Sequence, residues 1–313
     1  MKKSILITGA AGFIGSHLCE RFLKEEWQVL AFDNFLSGHS NNISHLLSNK
    51  NFSFINYDVT NFMCSPQPIS VVLHFACPAS PVDYMKYPME TMKVDSIGTF
   101  NTIDLAKEHG ARYILASTSE IYGDPLQHPQ TEEYWGNVNP IGPRSVYDEA
   151  KRFSETITMS YFREYKLDTR ITRIFNTYGP RMKAQDGRVI PNFVNQALKN
   201  SPLTIYGDGQ QTRSFCYVSD LVEGVYRLAT YDNLQGEIIN LGNPDEYTIQ
   251  KLVSIIQQEI STKSPITYKS LPTDDPRKRK PDITKAANLL NWSPQVDFKD
   301  GLRETINYFK SLL

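Results

Sequence analysis

Residues 4–15 read Ser-Ile-Leu-Ile-Thr-Gly-Ala-Ala-Gly-Phe-Ile-Gly, an apolar run followed by glycines spaced G-x-x-G-x-x-G. The run Ser4–Thr8 predicts a strand, and apolar residues at helical spacing predict a helix over Phe13–Lys24. Between such elements, missing side chains let a dinucleotide pyrophosphate approach backbone N–H groups at the helix N-terminus. An ordinary tight turn is the alternative, but the strand–turn–helix context favours a dinucleotide. The predicted cofactor contacts of this turn are Gly9, Gly12, Phe13, Ile14 and Gly15.

The same alternation of short apolar runs and longer amphipathic stretches continues through the first two thirds of the chain. It is typical of βα units that cover a parallel sheet on both faces. We therefore predict an α/β fold with a doubly wound, Rossmann-type parallel sheet. The predicted strands are Ser4–Thr8, Gln28–Phe32, Phe52–Asn56, Val71–Ala76, Arg112–Ser117 and Thr169–Phe175.

After Asn176 the pattern becomes irregular and rich in glycine turns, with short strands predicted at Leu203–Tyr206 and Ile238–Leu241. A length of 313 residues suits two domains. The sequence therefore predicts a dinucleotide-binding domain over residues 1–176. Residues 177–313 are predicted to form a smaller α/β substrate lobe, from which some segments return to the first domain.

Composition excludes several classes of protein. Lys and Arg total 33 against 34 Asp and Glu, which argues against a general nucleic-acid binder. The first apolar run is far shorter than the about 20 residues of a membrane span. Four cysteines are scattered without metal-ligand spacing, which predicts neither a disulfide framework nor a metal site. We expect a cytoplasmic protein.

Acidic residues stand where the second and third strands end. Asp33 follows the last glycine of the turn by eighteen residues, where a carboxylate can bond a ribose diol and repel a 2′-phosphate. This spacing favours NAD over NADP, with a simple turn at Asp33-Asn34 as the alternative. Asp58 and Val59 are the candidates for the adenine contact. His74 is predicted to be a buried histidine without a catalytic role.

Tyr147 and Lys151 lie four residues apart on one face of a helix predicted over Tyr147–Tyr165. An ammonium group near a phenol favours phenolate and lowers the phenol pKa, giving a general base for a sugar hydroxyl. The pair follows Ser117–Glu120 at a strand end, where open α/β sheets bind ligands. A second Tyr-x-x-x-Lys, Tyr247–Lys251, is interpreted as accidental, at the start of a helix capped by Thr248.

The glycine turn, Thr118-Ser119-Glu120, Tyr147-x-x-x-Lys151 and the second lobe resemble the extended short-chain dehydrogenase/reductase family, which remodels nucleotide sugars. Longer stretches are similar to its UDP-glucuronate decarboxylase branch, over nearly the whole chain. These stretches are HFACPASPVDYM from His74, LASTSEIYGDP from Leu115, YWGNVNPIGPRSVYDEAKR from Tyr134, RIFNTYGPRM from Arg173, YGDGQQTRSFCYVSDL from Tyr206 and RKPDI from Arg279.

Two residues beside Thr118 select the branch. In the related 4,6-dehydratases an Asp follows this Thr and protonates the leaving C6 hydroxyl, whereas this chain has Ser119. The related C4 epimerases usually carry a small residue at the position of Glu120. The resemblance therefore implies NAD-dependent decarboxylation of UDP-glucuronate to UDP-xylose, through a 4-keto intermediate with internal return of the hydride. Alternatives are a 4-epimerase, a 4,6-dehydratase or a non-catalytic NAD-binding sensor.

The resemblance also implies the roles of individual residues. Thr118, Tyr147 and Lys151 would act at the C4 hydroxyl, and Glu120 and Arg279 near C5 and the carboxylate. For Arg279 the alternative is a solvated face, because it belongs to the basic run 277–280. The implied substrate contacts are Ser119, Asn176, Arg188, Tyr206 and Arg213.

Two further expectations come from the family. A homodimer is implied, formed through helices near Thr91–His109 and Ser145–Tyr165. Relatives usually have Asn at the position of Asp95, where its polar group supports a water path toward the lysine. Asp95 introduces a charge at this position, so the proton relay formed by this water path has a different composition from that of the relatives.

Overall fold

The computed structural model describes residues 3–274 and 276–313, and thirteen strands are assigned in that part of the chain. In chain order they are β1 (Ser4–Thr8), β2 (Gln28–Asp33), β3 (Phe52–Asn56), β4 (Val71–His74), β5 (Arg112–Thr118), β6 (Thr169–Ile174), β7 (Thr177–Tyr178), β8 (Leu203–Tyr206), β9 (Thr212–Ser214), β10 (Cys216–Tyr217), β11 (Ile238–Leu241), β12 (Glu246–Thr248) and β13 (Ile266–Lys269).

The described residues also form ten α-helices, one π-helical turn and three short 3-10 helices, Ser40–Asn42, Ser44–Leu46 and Ser119–Tyr122. The helices are α1 (Phe13–Lys24), α2 (Pro81–Lys86), α3 (Pro88–Lys93), α4 (Thr99–His109), α5 (Ser145–Tyr165), α6 (Val189–Leu198), α7 (Val218–Thr230), α8 (Ile249–Ile260), α9 (Thr284–Leu290) and α10 (Phe298–Lys310). The π-helical turn, Val94–Gly98, joins α3 to α4.

Seven strands form one parallel sheet in the order β11-β6-β5-β4-β1-β2-β3. Its central strands are buried on both faces, and Ile5, Leu6 and Ile7 have no exposed surface. Helices α1, α7 and α9 pack on one face, and α4 and α5 on the other. The chain adds β2 and β3 on one side of β1, and β4, β5 and β6 on the other. This reversal in strand order opens a crevice at the carboxyl ends of β1 and β4. The predicted doubly wound Rossmann-type sheet is confirmed.

The smaller lobe is built on α6, α8 and α10, whose apolar faces bury one another together with β8. Strand β8 pairs with β13, and β9 pairs with β12. Strand β11, which the sequence places in this lobe, instead pairs with β6 as the outermost strand of the central sheet. The interpretation of Ile238–Leu241 as a strand of the second lobe is therefore wrong, because its apolar residues complete the larger sheet.

Some predicted boundaries also shift. Strand β4 ends at His74 and not at Ala76, because the backbone N–H groups of Phe75 and Ala76 leave the ladder and donate to the Thr8 hydroxyl, both at 3.1 Å. The helix predicted from Tyr147 begins two residues earlier, at Ser145. Across residues 3–274 and 276–313, no helix has the length and apolar character needed to cross a membrane.

Candidate active site

The crevice at the carboxyl ends of the sheet is a cavity of about 620 Å³ that extends from the glycine turn to the first turns of α5. A second cavity of about 280 Å³ lies between this crevice and the smaller lobe. Glu120, Asn176 and Arg188 line both cavities, so the two form one continuous region. These volumes suit small-molecule ligands.

The glycine turn forms one wall of the first cavity, and its glycines expose the backbone there. Gly9 has a φ of +70°, and a Cβ there would lie 2.6 Å from the carbonyl oxygen of Phe75. A Cβ on Gly15 would lie 2.0 Å from the carbonyl oxygen of Gly9, so α1 can pack this close to β1 only with glycine. Gly12 is the N-cap of α1, and Phe13 and Ile14 line the cavity beside it. This cradle fits a dinucleotide pyrophosphate.

Asp33 lies at the end of β2 and faces the same cavity. Its carboxylate accepts hydrogen bonds from the backbone N–H of Ala11 at 2.9 Å and of Phe35 at 2.7 Å. Burial raises the pKa of Asp33, and these two hydrogen bonds oppose the rise. The carboxylate is thus fixed beside the glycine turn, at the position expected for a ribose contact.

The next two strand ends contribute polar and apolar walls. Asp58 accepts hydrogen bonds from the Thr60 hydroxyl at 2.8 Å and from the Asn34 amide at 3.1 Å. Asp58 and the buried Val59 both line the first cavity. His74 is fully buried with its Nδ1 2.9 Å from the Thr8 hydroxyl, and burial lowers its pKa to about 3. This neutral core position agrees with the prediction that His74 has no catalytic role.

Tyr147 lies on the first turn of α5 and points into the first cavity, although only 5% of its surface is exposed. Its ring stacks on Tyr84 of α2, with centroids 5.1 Å apart and planes 3° from parallel. Thr118, at the end of β5, hydrogen-bonds to the phenol. The strand end and the helix therefore fix a phenol and a hydroxyl together, as two polar groups that can meet one substrate oxygen.

The expected lowering of the Tyr147 pKa is wrong for this structure. Burial is the largest influence and raises the pKa, with Cys77 and Asp95 adding to the rise and the Thr118 hydrogen bond opposing it. Lys151 lies behind the phenol, with its ammonium nitrogen 5.9 Å from the Tyr147 ring centre. That nitrogen is 2.8 Å from Asp95 Oδ1 and donates to the carbonyl oxygen of Ala116 at 3.0 Å.

Toward the second cavity, the Glu120 carboxylate lies between two arginines. Arg144 Nη2 donates to one carboxylate oxygen at 2.6 Å, and Arg279 Nη1 donates to the other. Although burial opposes ionisation, Arg279 and Arg144 hold the pKa of Glu120 well below its usual value. Two positive charges and one negative charge thus face the region where the two cavities join. Such a cluster can receive an anionic group.

The basic run divides sharply at Arg279. Only 2% of Arg279 is exposed, whereas Arg277 and Lys278 are exposed and Lys280 lies 3.7 Å from Glu246. The solvated-face interpretation therefore holds for its neighbours and not for Arg279. Sequence reasoning missed Arg144, which lines the second cavity. The available signal was its position three residues before Tyr147, one helical turn away on the same face.

The remaining predicted substrate contacts border the same region. Ser119 is buried beside Thr118, and Asn176 follows β6 at the junction of the cavities. Tyr206 and Arg213 lie in the wall of the second cavity, with Tyr206 40% exposed. Arg188 is held by Asp186, whose Oδ2 accepts from Nη2 at 2.7 Å. The structure brings all five residues to the two cavities.

The second Tyr-x-x-x-Lys lies in the smaller lobe. Tyr247 stacks on Phe298 with centroids 4.5 Å apart, and the Thr248 hydroxyl accepts from the backbone N–H of Lys251 at 3.1 Å as the N-cap of α8. The predicted helix start with Thr248 as its cap is confirmed.

A Rossmann-type domain with a glycine cradle, a Thr–Tyr–Lys set at one strand end and a joined second lobe defines an extended short-chain dehydrogenase/reductase. A family model described as GDP-mannose 4,6 dehydratase matches residues 6–305. The chain belongs to this family of extended short-chain dehydrogenases/reductases.

Comparison with individual proteins narrows the likeness. UDP-glucuronic acid decarboxylase 2 of Arabidopsis thaliana is 51% identical over 309 residues, covering 98% of this chain and 68% of the relative. UDP-glucuronic acid decarboxylase 1 of Xenopus tropicalis is 48% identical over 314 residues, covering 100% and 73%. Among solved structures, a UDP-glucuronic acid 4-epimerase from Bacillus cereus, in complex with UDP-glucuronic acid and NAD, has a TM-score of 0.88. It is 32% identical and covers 99% of this chain and 100% of that one.

Proposed function

We propose that this protein is a UDP-glucuronate decarboxylase that uses NAD and forms UDP-xylose. The observation that carries the proposal is the Glu120–Arg144–Arg279 cluster, which lies on one side of Tyr147 with the Thr118 hydroxyl beside the phenol. A sugar whose C4 hydroxyl meets Tyr147 can then direct a C5 carboxylate toward this cluster. Relatives about half identical over nearly the whole chain are decarboxylases of UDP-glucuronic acid, which supports the same substrate.

The first step takes place at C4. Tyr147 accepts the proton of the C4 hydroxyl in its phenolate form, which the raised pKa of this phenol makes the minor form, while Thr118 hydrogen-bonds the same oxygen. When bound, NAD supplies the hydride acceptor and returns the hydride to C4 at the end of the cycle. The glycine cradle and Asp33, which line the first cavity, would hold the cofactor, and Asp58 and Val59 would contact its adenine.

The second step takes place at C5. Oxidation at C4 makes a β-keto acid, in which the carbon–carbon bond to the carboxylate breaks and its electron pair moves toward the C4 carbonyl as CO2 leaves. Thr118 and Tyr147 stabilise the resulting enolate by hydrogen bonds to its oxygen. C5 then takes up one proton from water, which restores the C4 ketone before the hydride returns to C4. Arg279 and Arg144 orient the carboxylate beforehand, and Glu120 keeps both guanidinium groups in place. Because Glu120 is held ionised, it supplies charge to this site and not a proton.

The UDP moiety extends into the second cavity. Arg188 and Arg213 supply charge for the diphosphate, Asn176 and Ser119 hydrogen-bond near the sugar, and Tyr206 packs against the uracil. Residues 1–176 thus hold NAD, and residues 177–313 contribute most UDP contacts apart from the segments that return to the central sheet.

One assay tests the proposal. The protein is incubated with UDP-glucuronate and NAD, and CO2, UDP-pentose, UDP-galacturonate and the NADH absorbance are measured together. The proposal expects CO2 and UDP-xylose in equal amounts. UDP-galacturonate without CO2 would identify a 4-epimerase, and binding of NAD without turnover would identify a sensor. A parallel incubation with dTDP-glucose tests dehydration, for which Ser119 offers no carboxylic acid.

The cofactor has its own test. Asp33→Ala removes the carboxylate that bonds the ribose diol and repels a 2′-phosphate, so the preference for NAD over NADP should narrow. The ratio of kcat/KM values for UDP-glucuronate turnover with each cofactor measures this. Equal use of both cofactors by the unchanged protein would contradict the assignment of Asp33.

A homodimer fits an apolar surface on α2 to α5 and the π-helical turn. Its exposed apolar side chains are Met85, Met89, Met92, Ile97, Phe100 and Phe153. Sedimentation of the unchanged protein and of Phe100→Glu tests the dimer, which the variant should weaken. A cytoplasmic location is supported by the free, exposed thiol of Cys64, which suits a reducing compartment.

A further inference from the structure

Three ionisable side chains lie together near Tyr147: the buried Asp95 and Lys151, and the partly buried Cys77. Asp95 has no exposed surface, and its Oδ1 is 2.8 Å from the Lys151 ammonium nitrogen. Its other oxygen, Oδ2, accepts a hydrogen bond from the Cys77 thiol at 3.1 Å. Each oxygen of this carboxylate therefore has a neighbour on the catalytic side of the first cavity.

The backbone holds Asp95 firmly in this position. It belongs to the π-helical turn Val94–Gly98, a local widening of a helix that is frequent at functional sites. The Asp95 carbonyl oxygen accepts hydrogen bonds from the hydroxyls of Thr99, at 2.9 Å, and Ser154. Ser154 lies on α5 one turn after Lys151, so the same two segments hold both partners of the ion pair.

The positive charge of Lys151 is thereby offset before it can act on the phenol. Although burial opposes its ionisation, Asp95 raises the pKa of Lys151, so the ammonium group stays charged but is neutralised by its partner. The same carboxylate adds to the raised pKa of Tyr147. The other titratable and charged groups that face this cluster and Tyr147 are His74, Tyr84, Tyr113, Glu120 and Arg188.

We infer that Asp95 is a positioning residue that holds Lys151 as an ion pair and thereby sets the pH range in which Tyr147 serves as general base. The inference rests on the proposed function for its kinetic consequence. Its structural part, a charged Asp95 between Lys151 and Cys77, stands independently of any substrate.

The kinetic test uses Asp95→Asn, which keeps the shape of the side chain and removes its charge. Both limbs of the pH profile of kcat/KM for UDP-glucuronate should move to lower pH, because the pKa of the Tyr147 phenol and that of the Lys151 ammonium both fall. A single neighbouring charge typically moves a pKa by about one unit or more. Asp220→Asn is the matched control, since Asp220 is a buried carboxylate outside both cavities that accepts from the Val296 backbone N–H.

The control profile should coincide with that of the unchanged protein. An Asp95→Asn profile with unmoved limbs would overturn the inference, whether or not the maximal rate falls. A fall in rate without a shift would mean that Asp95 only supports the fold.

A second measurement needs no turnover. Burial and Asp95 both raise the pKa of the Cys77 thiol, so Asp95→Asn should increase its rate of alkylation by iodoacetamide, with the exposed Cys64 as internal reference. Peptide mass spectrometry at a fixed NAD concentration measures both thiols. In the unchanged protein the alkylation of Cys77 should begin at higher pH than the alkylation of Cys64. If the two alkylation rates depend on pH in the same way, the inference is overturned, and this comparison does not require the variant to fold.

The two measurements separate the failure of the inference from the failure of the proposed function. A protein that releases no CO2 but shows the Cys77 change retains the ion pair and loses the decarboxylase assignment. If the protein releases CO2 but Asp95→Asn changes neither the limbs of its pH profile nor the reactivity of Cys77, the decarboxylase assignment stands. The role of the Asp95–Lys151 ion pair is then refuted.

Discussion

Two charged clusters flank Tyr147, and they are built in opposite ways. In front of the phenol, toward the second cavity, one carboxylate, Glu120, accepts hydrogen bonds from two guanidinium groups, those of Arg144 and Arg279. Behind it, one ammonium group, Lys151, lies against one carboxylate, Asp95, and the pair is neutral. Asp95, Lys151 and Arg279 are buried and Glu120 and Arg144 are partly buried, so solvent screens both clusters less than it screens a surface pair.

The difference indicates what each cluster must do. Two guanidinium groups in front can orient a carboxylate, and Glu120 reduces the repulsion between these two cations. The neutral Asp95–Lys151 pair behind the phenol does not attract an anion. It holds Lys151 beside the first cavity with its positive charge neutralised by Asp95. Substrate attraction and phenol tuning are thus assigned to separate sides of one tyrosine.

The largest effect is expected from Tyr147→Phe, which removes the group between the two clusters. Loss of the general base should reduce turnover by on the order of 10² to 10⁴, because the C4 hydroxyl keeps its proton. No NADH absorbance should develop, since oxidation is the step that fails. Normal turnover by this variant would refute the mechanism as a whole.

Arg279→Ala breaks the front cluster and should leave oxidation at C4 feasible. Loss of a charge-assisted hydrogen bond to the carboxylate should lower CO2 release by roughly 10- to 100-fold, while enzyme-bound NADH accumulates. Absorbance of the reduced nicotinamide and CO2 release are followed together. Arg277→Ala is the matched control, because that side chain is exposed. If Arg279→Ala and Arg277→Ala give the same NADH absorbance and the same CO2 release, the buried Arg279 has no role in the reaction.

The sequence predicted the back of the site better than the front. Tyr147 and Lys151 belong to one helix, so a spacing of four residues was sufficient to place them together. The glycine turn and Asp33 were equally accessible, because a strand, a turn and a helix fix them locally. The order of the central strands follows from the same repeated units.

The front cluster was harder because its members come from three distant parts of the chain. Glu120 follows β5, Arg144 precedes α5, and Arg279 comes more than 130 residues later. Only family likeness pointed to Arg279, and nothing local distinguished it from the exposed Arg277. The charge state of the back pair also escaped prediction, since a lowered Tyr147 pKa assumes an unpaired Lys151. In the structure Lys151 is paired with Asp95, a residue more than 50 positions away in the chain, and this pairing was not predicted.

A smaller effect is expected from Arg144→Gln, because Arg279 stays in place on Glu120. One of the two positive charges is lost, so kcat/KM for UDP-glucuronate should fall by about tenfold or less, mainly through KM. Steady-state kinetics at several substrate concentrations measure the split. Arg163→Gln removes an equal charge from the exposed end of α5 and serves as the control. An effect as large as that of Arg279→Ala would mean that the two arginines act as a single unit.

The smallest effect concerns Asp148, a buried carboxyl that belongs to neither cluster. Its Oδ1 has no hydrogen-bond partner among the described residues, and burial, with Glu120 adding, raises its pKa from 3.8 to about 7. The folded protein therefore binds a proton that the unfolded chain releases between these values, and stability falls as pH rises through that interval.

Asp148→Asn carries an amide that cannot ionise, so the variant should be spared this loss of stability. The difference in unfolding free energy between variant and parent should grow in favour of the variant from about pH 5 to about pH 8, by on the order of 1 kcal/mol. Denaturant unfolding at both pH values measures it. Glu164→Gln removes the same formal charge from the exposed end of α5 and should show no such growth. A constant difference for Asp148→Asn would mean that Asp148 is ionised throughout and is stabilised by the arginines of the front cluster.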